Sequence, residues 1–61
     1  MNENVQVGDR IEFRHHEHFV SEGWVMWFNP DETVQVSDNQ NMTCQNWVIR
    51  KQDILKVCQL V

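Results

Sequence analysis

The segment Glu22-Gly-Trp-Val-Met-Trp-Phe28 constrains the fold of this 61-residue chain more than any other stretch. It is short, apolar and aromatic, and Pro30 follows closely, so we expect the run to end in a turn. Trp, Phe and Val favour a pleated, half-buried surface, and a run of this length suits a strand better than a helix. We therefore predict a central strand from about Val20 to Phe28.

Gly23 lies inside this predicted strand. A glycine in a strand indicates a bend, a bulge or the close approach of another backbone. We expect Gly23 to let the strand bend strongly, as a small curved sheet requires. If Val25 then faces inward, Trp24 and Met26 face outward unless a bulge intervenes.

Alternating polar and apolar residues predict two further strands, Arg10–Arg14 and Thr33–Ser37. The polar residues His15–Phe19 predict a loop before the central strand. Asn29–Glu32 predict a turn in which Pro30 presets the backbone φ angle. These elements give the chain a regular succession of short strands and turns.

The C-terminal part has two interpretations. The first is a fourth strand over Met42–Ile49, a 3₁₀ turn over Arg50–Asp53 and a last strand over Ile54–Val57. The second is one amphipathic helix over Asn46–Gln59. The β-branched residues favour the strands. A single domain over residues 5–58 follows, with a flexible tail at Met1–Asn4.

A chain of this size buries only about 60% of its unfolded surface, so its core must be small. The predicted core combines the apolar positions that alternation turns inward with some of the tryptophans. Its members are Ile11, Phe13, Val25, Val34, Val36, Ile49, Ile54 and Val57.

The order of these signals resembles small SH3-like barrels of the KOW and Tudor-like kind. Val7-Gly-Asp-Arg-Ile-Glu-Phe13 resembles their opening, and Glu22–Val25 resembles their second strand. Val34–Val36 is similar to the third strand, and Ile49–Val57 to the closing strand, 3₁₀ turn and last strand. The resemblance implies an all-β fold: a small five-stranded SH3-like barrel with a short 3₁₀ turn before the last strand.

Within that group the chain looks most like stand-alone small proteins of bacteria and their phages. Members of the wider group bind RNA, DNA, ribosomal components or other proteins. The resemblance therefore implies a binding function without selecting the ligand.

Nine acidic and five basic residues give the chain a net charge of −4. No Lys or Arg occurs between Arg14 and Arg50, whereas that stretch holds five acidic residues. An acidic total disfavours strong nonspecific binding to nucleic acid. The basic residues lie towards the two ends, where a curved sheet can still place them side by side: Arg10, Arg14, Arg50, Lys51 and Lys56.

Cysteine usage and hydropathy point to a cytoplasmic protein with reduced thiols and no membrane partner. Cys44 and Cys58 lack the spacing of a redox or zinc motif, and we expect them to be semi-buried. The N-terminal residues lack the basic and apolar layout of a signal peptide. No apolar run approaches the ~20 residues of a membrane helix.

His15, His16 and His18 surround Glu17 and are the one cluster with metal-binding residue types. Adjacent positions on a strand or loop point apart, so we expect a solvated loop and no metal or other cofactor. A metal site joined by Cys44 remains the alternative. Since histidine titrates near neutral pH, the cluster also suggests a pH-sensitive loop.

Two functions remain, and neither is enzymatic, because no nucleophile–base pattern or paired acid and base occurs and a deep cleft is not expected. The first is a protein-binding module that contacts an unknown protein, or a second copy of itself, through an aromatic strand face. Its candidate residues are Trp24, Met26, Trp27 and Trp47. The alternative is RNA or single-stranded DNA binding, in which bases stack on Trp24 or Trp47 beside the five basic residues.

Overall fold

The computed structural model describes residues 5–58 and shows an all-β architecture. The predicted tail at Met1–Asn4 lies outside the described residues. Five strands and one 3₁₀ turn follow one another within the described part of the chain. They are β1 Arg10–His15, β2 Phe19–Phe28, β3 Thr33–Ser37, β4 Trp47–Arg50, the 3₁₀ turn Lys51–Asp53 and β5 Ile54–Cys58.

The strands form one antiparallel sheet in the order β4-β3-β2-β1-β5. Strands β1 to β4 pair in sequence, and β5 returns to the other side of β1. The prediction of five strands with a 3₁₀ turn before the last one is confirmed. Within residues 5–58, β4 and β5 are the two edge strands and do not pair with each other, so the sheet is not closed into a barrel.

The sheet curls strongly. The curl is shown by side chains of β1 and β4 that meet on its inner face. The ring centroids of Phe13 and Trp47 are 5.1 Å apart. In a flat sheet, strands three positions apart would be separated by roughly 14 Å. The inner face therefore becomes concave and encloses the core.

Among residues 5–58, six side chains form the buried core, and all six were predicted: Ile11, Phe13, Val25, Val34, Val36 and Ile49. The remaining two predicted core residues, Ile54 and Val57, are only partly buried. Both belong to the edge strand β5, which has a neighbouring strand on one side only. Val5, Phe28 and Trp47 also pack against the core.

Gly23 is needed because another backbone lies against it. A Cβ atom at this position would lie 2.6 Å from the carbonyl oxygen of Ser37 and 2.6 Å from Val36 Cγ1. Phe13 Cε1 would be 3.3 Å away. The close approach that the sequence indicated is therefore present, and it joins β2 tightly to β3.

A β-bulge at Met26 changes which side chains of β2 face the core. Val25 pairs with Val36 and Trp27 pairs with Gln35, so Met26 is the extra residue on β2. Without the bulge, alternation would turn Trp27 inward after Gly23 and Val25. With it, Phe28 packs against the core and Trp27 is 60% exposed.

The connection from β3 to β4 is longer than predicted, because Met42–Asn46 are not part of β4. Side chains in this connection bond to nearby backbone groups instead of leaving them free for a strand ladder. Asn46 Oδ1 accepts from the Asp38 N–H at 2.9 Å, and Asn39 Oδ1 accepts from the Thr43 N–H at 3.3 Å. Local bonds of this kind compete with sheet pairing.

Two further expectations are corrected. His15 and Phe19 are paired residues of β1 and β2, so only residues 16–18 form the predicted loop. The alternative helix over Asn46–Gln59 is wrong up to Cys58, where β4, the 3₁₀ turn and β5 occur instead.

Among the described residues, no helix is long or apolar enough to span a bilayer.

The turn between β2 and β3 is fixed around Asp31. The Glu32 N–H donates to the Asn29 carbonyl at 3.3 Å, and Glu32 adopts a φ of 72°. The hydroxyl of Thr33, and then its backbone N–H at 3.1 Å, donate to Asp31 Oδ1. These hydrogen bonds hold the pKa of Asp31 below its ordinary value of 3.8.

Replacing Gly23 by Ala should destabilise the fold by about 2–3 kcal/mol, because the new methyl group meets a backbone carbonyl that has little room to move. Urea unfolding followed by tryptophan fluorescence measures the change. Gly8→Ala is the control, since Gly8 has a φ of 94° and open space around its Cβ position. It should lose about 1 kcal/mol from backbone strain alone. A Gly23→Ala protein as stable as the wild type would contradict the close approach.

Replacing Asp31 by Asn should make stability less dependent on acid pH. A carboxylate whose folded-state pKa is lowered stabilises the fold above its unfolded-state pKa and loses that effect as the pH falls through the folded-state pKa. The wild type should therefore be more stable than Asp31→Asn at pH 7, and the difference should shrink below a pH of about 4. Urea unfolding at pH 7 and pH 3 tests this, with Glu17→Gln as the control. A difference that stays constant with pH would count against the Asp31–Thr33 interaction.

Candidate functional site

An exposed apolar strip crosses the outer face of β2, β3 and β4. Trp27 pairs with Gln35, and Gln35 pairs with Val48, so the three side chains lie side by side on one face of the sheet. Trp27 is 60% exposed and Val48 is 51% exposed. We call these three residues the Trp27 surface.

Hydrogen bonds fix the middle of the Trp27 surface. Gln35 Nε2 donates to Asn29 Oδ1 at 2.8 Å, and Asn29 Nδ2 donates to Thr33 Oγ1 at 2.9 Å. An ordered side chain loses less conformational freedom when a partner binds. The side chain of Gln35 is therefore held in place at the centre of the strip.

Trp24 lies on the same face of β2 but is covered by a neighbouring side chain. Its strand partner in β3 is Ser37, which shares a face with Gln35. The Arg10 guanidinium lies 5.4 Å from the centroid of the Trp24 ring and pairs with Glu22. Arg10 Nε is buried without a hydrogen-bond partner. Trp24 thus offers less free ring surface than Trp27.

The four predicted aromatic-face residues do not form one surface. Trp24 and Trp27 share the outer face, and Met26 is the half-buried residue of the bulge. Trp47 belongs to the inner face, where its ring packs against Phe13 and His15 with centroid distances of 5.1 and 5.7 Å.

Most of the predicted basic residues lie beside a carboxylate. Arg10 pairs with Glu22, Arg50 Nε lies 3.5 Å from Asp53 Oδ2, and Lys51 Nζ lies 3.8 Å from Glu32 Oε2. Lys56 is the strand partner of Glu12. Within residues 5–58, Arg14 has no ion pair. The five basic residues therefore do not build a continuous cationic face.

An open cleft of about 360 Å³ lies between the end of β1 and the free edge of β4. The sequence predicted no deep cleft, and this one arises because the curled sheet leaves β4 unpaired on one side. Its lining includes Arg14, His15, His16, Trp47, Arg50 and Asp53. Two of the predicted basic residues and one predicted tryptophan thus meet here.

His15 is held by both of its ring nitrogens. Nε2 lies 2.7 Å from Ser21 Oγ, and Nδ1 lies 2.8 Å from His16 Nδ1. A hydrogen bond between the two Nδ1 atoms needs one donor and one acceptor, so only one of the two histidines carries a proton on its Nδ1. The bonds fix the His15 ring next to Trp47.

The two adjacent histidines do not point apart as expected. His16 adopts a φ of 50°, which takes the chain out of the strand and brings its ring within 5.0 Å of His15. His18 lies beside Glu17 at 3.8 Å, and both are highly exposed. In the part of the chain that the structure describes, no three His, Cys, Asp or Glu residues are placed to hold a metal ion.

Cys44 differs from the expectation of a semi-buried thiol. It is exposed, and its sulfur lies 3.8 Å from Asn46 Oδ1. Cys58 is half-buried and also free. Cys44 belongs to the β3–β4 connection, and the local hydrogen bonds of that connection keep its side chain away from the core.

The sequence pattern of β1 also indicates the position of His15, although the segment after Arg14 was predicted to be a loop. Ile11, Phe13 and His15 continue the alternation of β1 by two positions at a time, so His15 points to the inner face. The position of Trp47 opposite it depends on the curl of the sheet, for which no local pattern exists.

Searches against protein-family models, curated proteins and solved structures found no match to this chain.

Trp47 and Trp27 should respond differently to truncation. Trp47→Ala removes a ring that packs against the core and should destabilise the fold by about 2–3 kcal/mol. Trp27→Ala removes an exposed ring and should change stability by less than about 0.5 kcal/mol. Chemical unfolding measures both, and the His15 ring signals in NMR spectra should move in Trp47→Ala only. Equal losses would contradict the assignment of the two rings to opposite faces.

Proposed function

We propose that this chain is a small non-enzymatic module that binds a protein partner through the Trp27 surface. The observation that carries the proposal is the β-bulge at Met26, which leaves Trp27 60% exposed instead of buried. Bulges often occur where a side chain is aimed at a functional position. The bulge exchanges the environments of Trp27 and Phe28, so the larger indole ring is exposed while the phenyl ring packs against the core, and this exposure favours a role in binding.

The composition of the strip supports a protein partner. Large aromatic side chains are enriched among the residues that contribute most to protein–protein binding, and they are surrounded by contacts that exclude water. Trp27 has Gln35 and Val48 beside it in register. The strip therefore combines an aromatic anchor, an aliphatic neighbour and an ordered amide.

The charge near the strip supports a cationic partner segment. The turn after β2 carries Asp31 and Glu32; Glu32 Oε2 lies 3.8 Å from Lys51 Nζ, whereas Asp31 has no ion pair among the described residues. A partner segment with Arg or Lys next to an apolar residue is therefore favoured. An arginine can also stack on the exposed indole ring of Trp27.

The fold is proposed to be an SH3-like barrel of the KOW or Tudor-like kind. Three features support this: the strand order β4-β3-β2-β1-β5, the curl that joins β1 to β4 through side chains, and the 3₁₀ turn before β5. Such a fold suits a binding module. A cytoplasmic location remains part of the proposal.

Nucleic-acid binding by all five basic residues is the weaker function. Three of them pair with Glu22, Glu32 and Asp53, and Lys56 faces Glu12 across the β1–β5 ladder. A neutralised guanidinium or ammonium group releases fewer counterions from a phosphate backbone. The charge arrangement therefore favours a protein partner at the Trp27 surface.

Selection from a displayed random-peptide library tests the proposal. Peptides selected on the wild type should contain Arg or Lys beside an apolar residue, and they should shift the indole N–H signal of Trp27. Trp27→Ala should weaken their binding at least tenfold, as expected for a central anchor. Phe19→Ala is the matched control, because Phe19 is 63% exposed on the hairpin end and lies outside the strip.

Peptides that bind Trp27→Ala as tightly as the wild type would overturn the proposal. Sedimentation measurements separate a second possible occupant, another copy of the chain. A dimer in the wild type that becomes a monomer in Trp27→Ala would assign the strip to self-association.

A further inference from the structure

We propose that the cleft beside β4 binds a planar aromatic anion of the nucleotide type. The ring of the ligand stacks on Trp47, and its anionic group binds Arg14 and Arg50. The cleft adjoins the Trp27 surface at Val48, which belongs to both, but the residues proposed to bind the ligand lie outside that surface and the proposal does not depend on the protein-binding function.

The size and position of the cleft suit a small ligand. Its volume of about 360 Å³ lies within the range of roughly 300–1,000 Å³ for small-molecule sites. Four elements border it: the end of β1 with its loop, the start of β3, strand β4 and the 3₁₀ turn. Residues from distant parts of the sequence thus converge on one opening.

Trp47 supplies a rigid stacking surface. Its ring is half-buried, with Phe13 edge-on at 65° and His15 tilted at 52°. These neighbours fix the indole from the core side, and the same residue lines the cleft. Stacking of a base on an aromatic ring stabilises binding by about 1–3 kcal/mol in single-strand binding proteins.

The arginines supply the anion-binding groups. Arg14 has no ion pair among the described residues, and Arg50, whose Nε lies 3.5 Å from Asp53 Oδ2, keeps a largely exposed side chain. A guanidinium group binds a phosphate or carboxylate in a bidentate manner. The lining contains two arginines and one carboxylate, so it is locally cationic on a chain with a net charge of −4.

His16 adds a polar group at the rim. Its Nδ1 is occupied by His15, so Nε2 is the nitrogen left for a ligand. A non-glycine residue with a φ of 50° is uncommon, and such strain often occurs at functional positions.

Together, the two arginines of the cleft disfavour a cationic ligand, and the ring of Trp47 favours a planar one.

NMR titration of the full chain with adenosine 5′-monophosphate tests the site, with adenosine and inorganic phosphate as the partial ligands. The monophosphate should bind with a Kd of about 1 mM or below and shift the Trp47 indole N–H and the amides of residues 14–16. Adenosine and phosphate should each bind at least about fivefold more weakly, since each makes half of the contacts.

Arg14→Gln should weaken binding of the monophosphate about fivefold or more, because it removes the unpaired cation and keeps the aliphatic stem. Lys56→Gln is the matched control, since it removes the same charge from the opposite edge and should change the Kd less than about twofold. Unchanged spectra of the free variants away from position 14 establish that both fold.

Three results would overturn the proposal: no shift at Trp47, adenosine binding as tightly as its monophosphate, or equal affinities in Arg14→Gln and the wild type. A single-stranded deoxyadenosine decamer separates the two sources of such a ligand. Tighter binding of the decamer assigns the cleft to a nucleotide within a strand, and equal binding assigns it to a free nucleotide. Trp27→Ala should bind the monophosphate normally, so failure at the cleft and failure at the Trp27 surface are distinguishable.

Discussion

The contact between β1 and β4 determines the shape of the molecule. Phe13 and Trp47 meet edge to face, and the fixed ring of His15 packs beside them. Such aromatic pairs add about 0.5–1.5 kcal/mol beyond the area that they bury. Among the described residues the core has only six buried side chains, so this contact contributes substantially to holding β4 against β1. It also creates the cleft, because β4 is held over β1 by side chains and its backbone edge stays free.

The two faces of the sheet therefore present different groups to solvent. The inner face combines the core with a locally cationic, aromatic cleft at its rim. The outer face carries the exposed indole of Trp27, which the bulge at Met26 places there. One irregular residue in β2 thus exchanges the environments of Trp27 and Phe28. The acidic middle of the chain and the cationic lining of the cleft give the two regions different charge preferences.

Local patterns predicted most of the fold. Alternation identified β1 and β3, and the six core residues all followed from inward positions. The glycine in β2 indicated a bend, a bulge or a close backbone approach, and the structure shows the close approach, made by Ser37. The length of β4 was missed because side-chain bonds of Asn39 and Asn46 compete with the ladder. The position of the bulge was missed because Val25, Met26 and Trp27 are all apolar, so no polar residue marks the change of face. The cleft depends on contacts between residues far apart in sequence, which no local pattern contains.

The pairing of β5 with β1 joins the beginning and the end of the described chain, from Arg10 to Cys58. Such a contact requires the closure of a long loop. The loss of chain entropy on closure opposes folding until the β1–β5 hydrogen bonds have formed. Strands β1 to β4 are each adjacent to the next in sequence, so their hairpins can assemble first. Before β5 pairs with it, β1 is an edge strand whose outer N–H and C=O groups have no partner strand. The late step of folding is therefore also the interval in which two immature chains are most able to pair with each other.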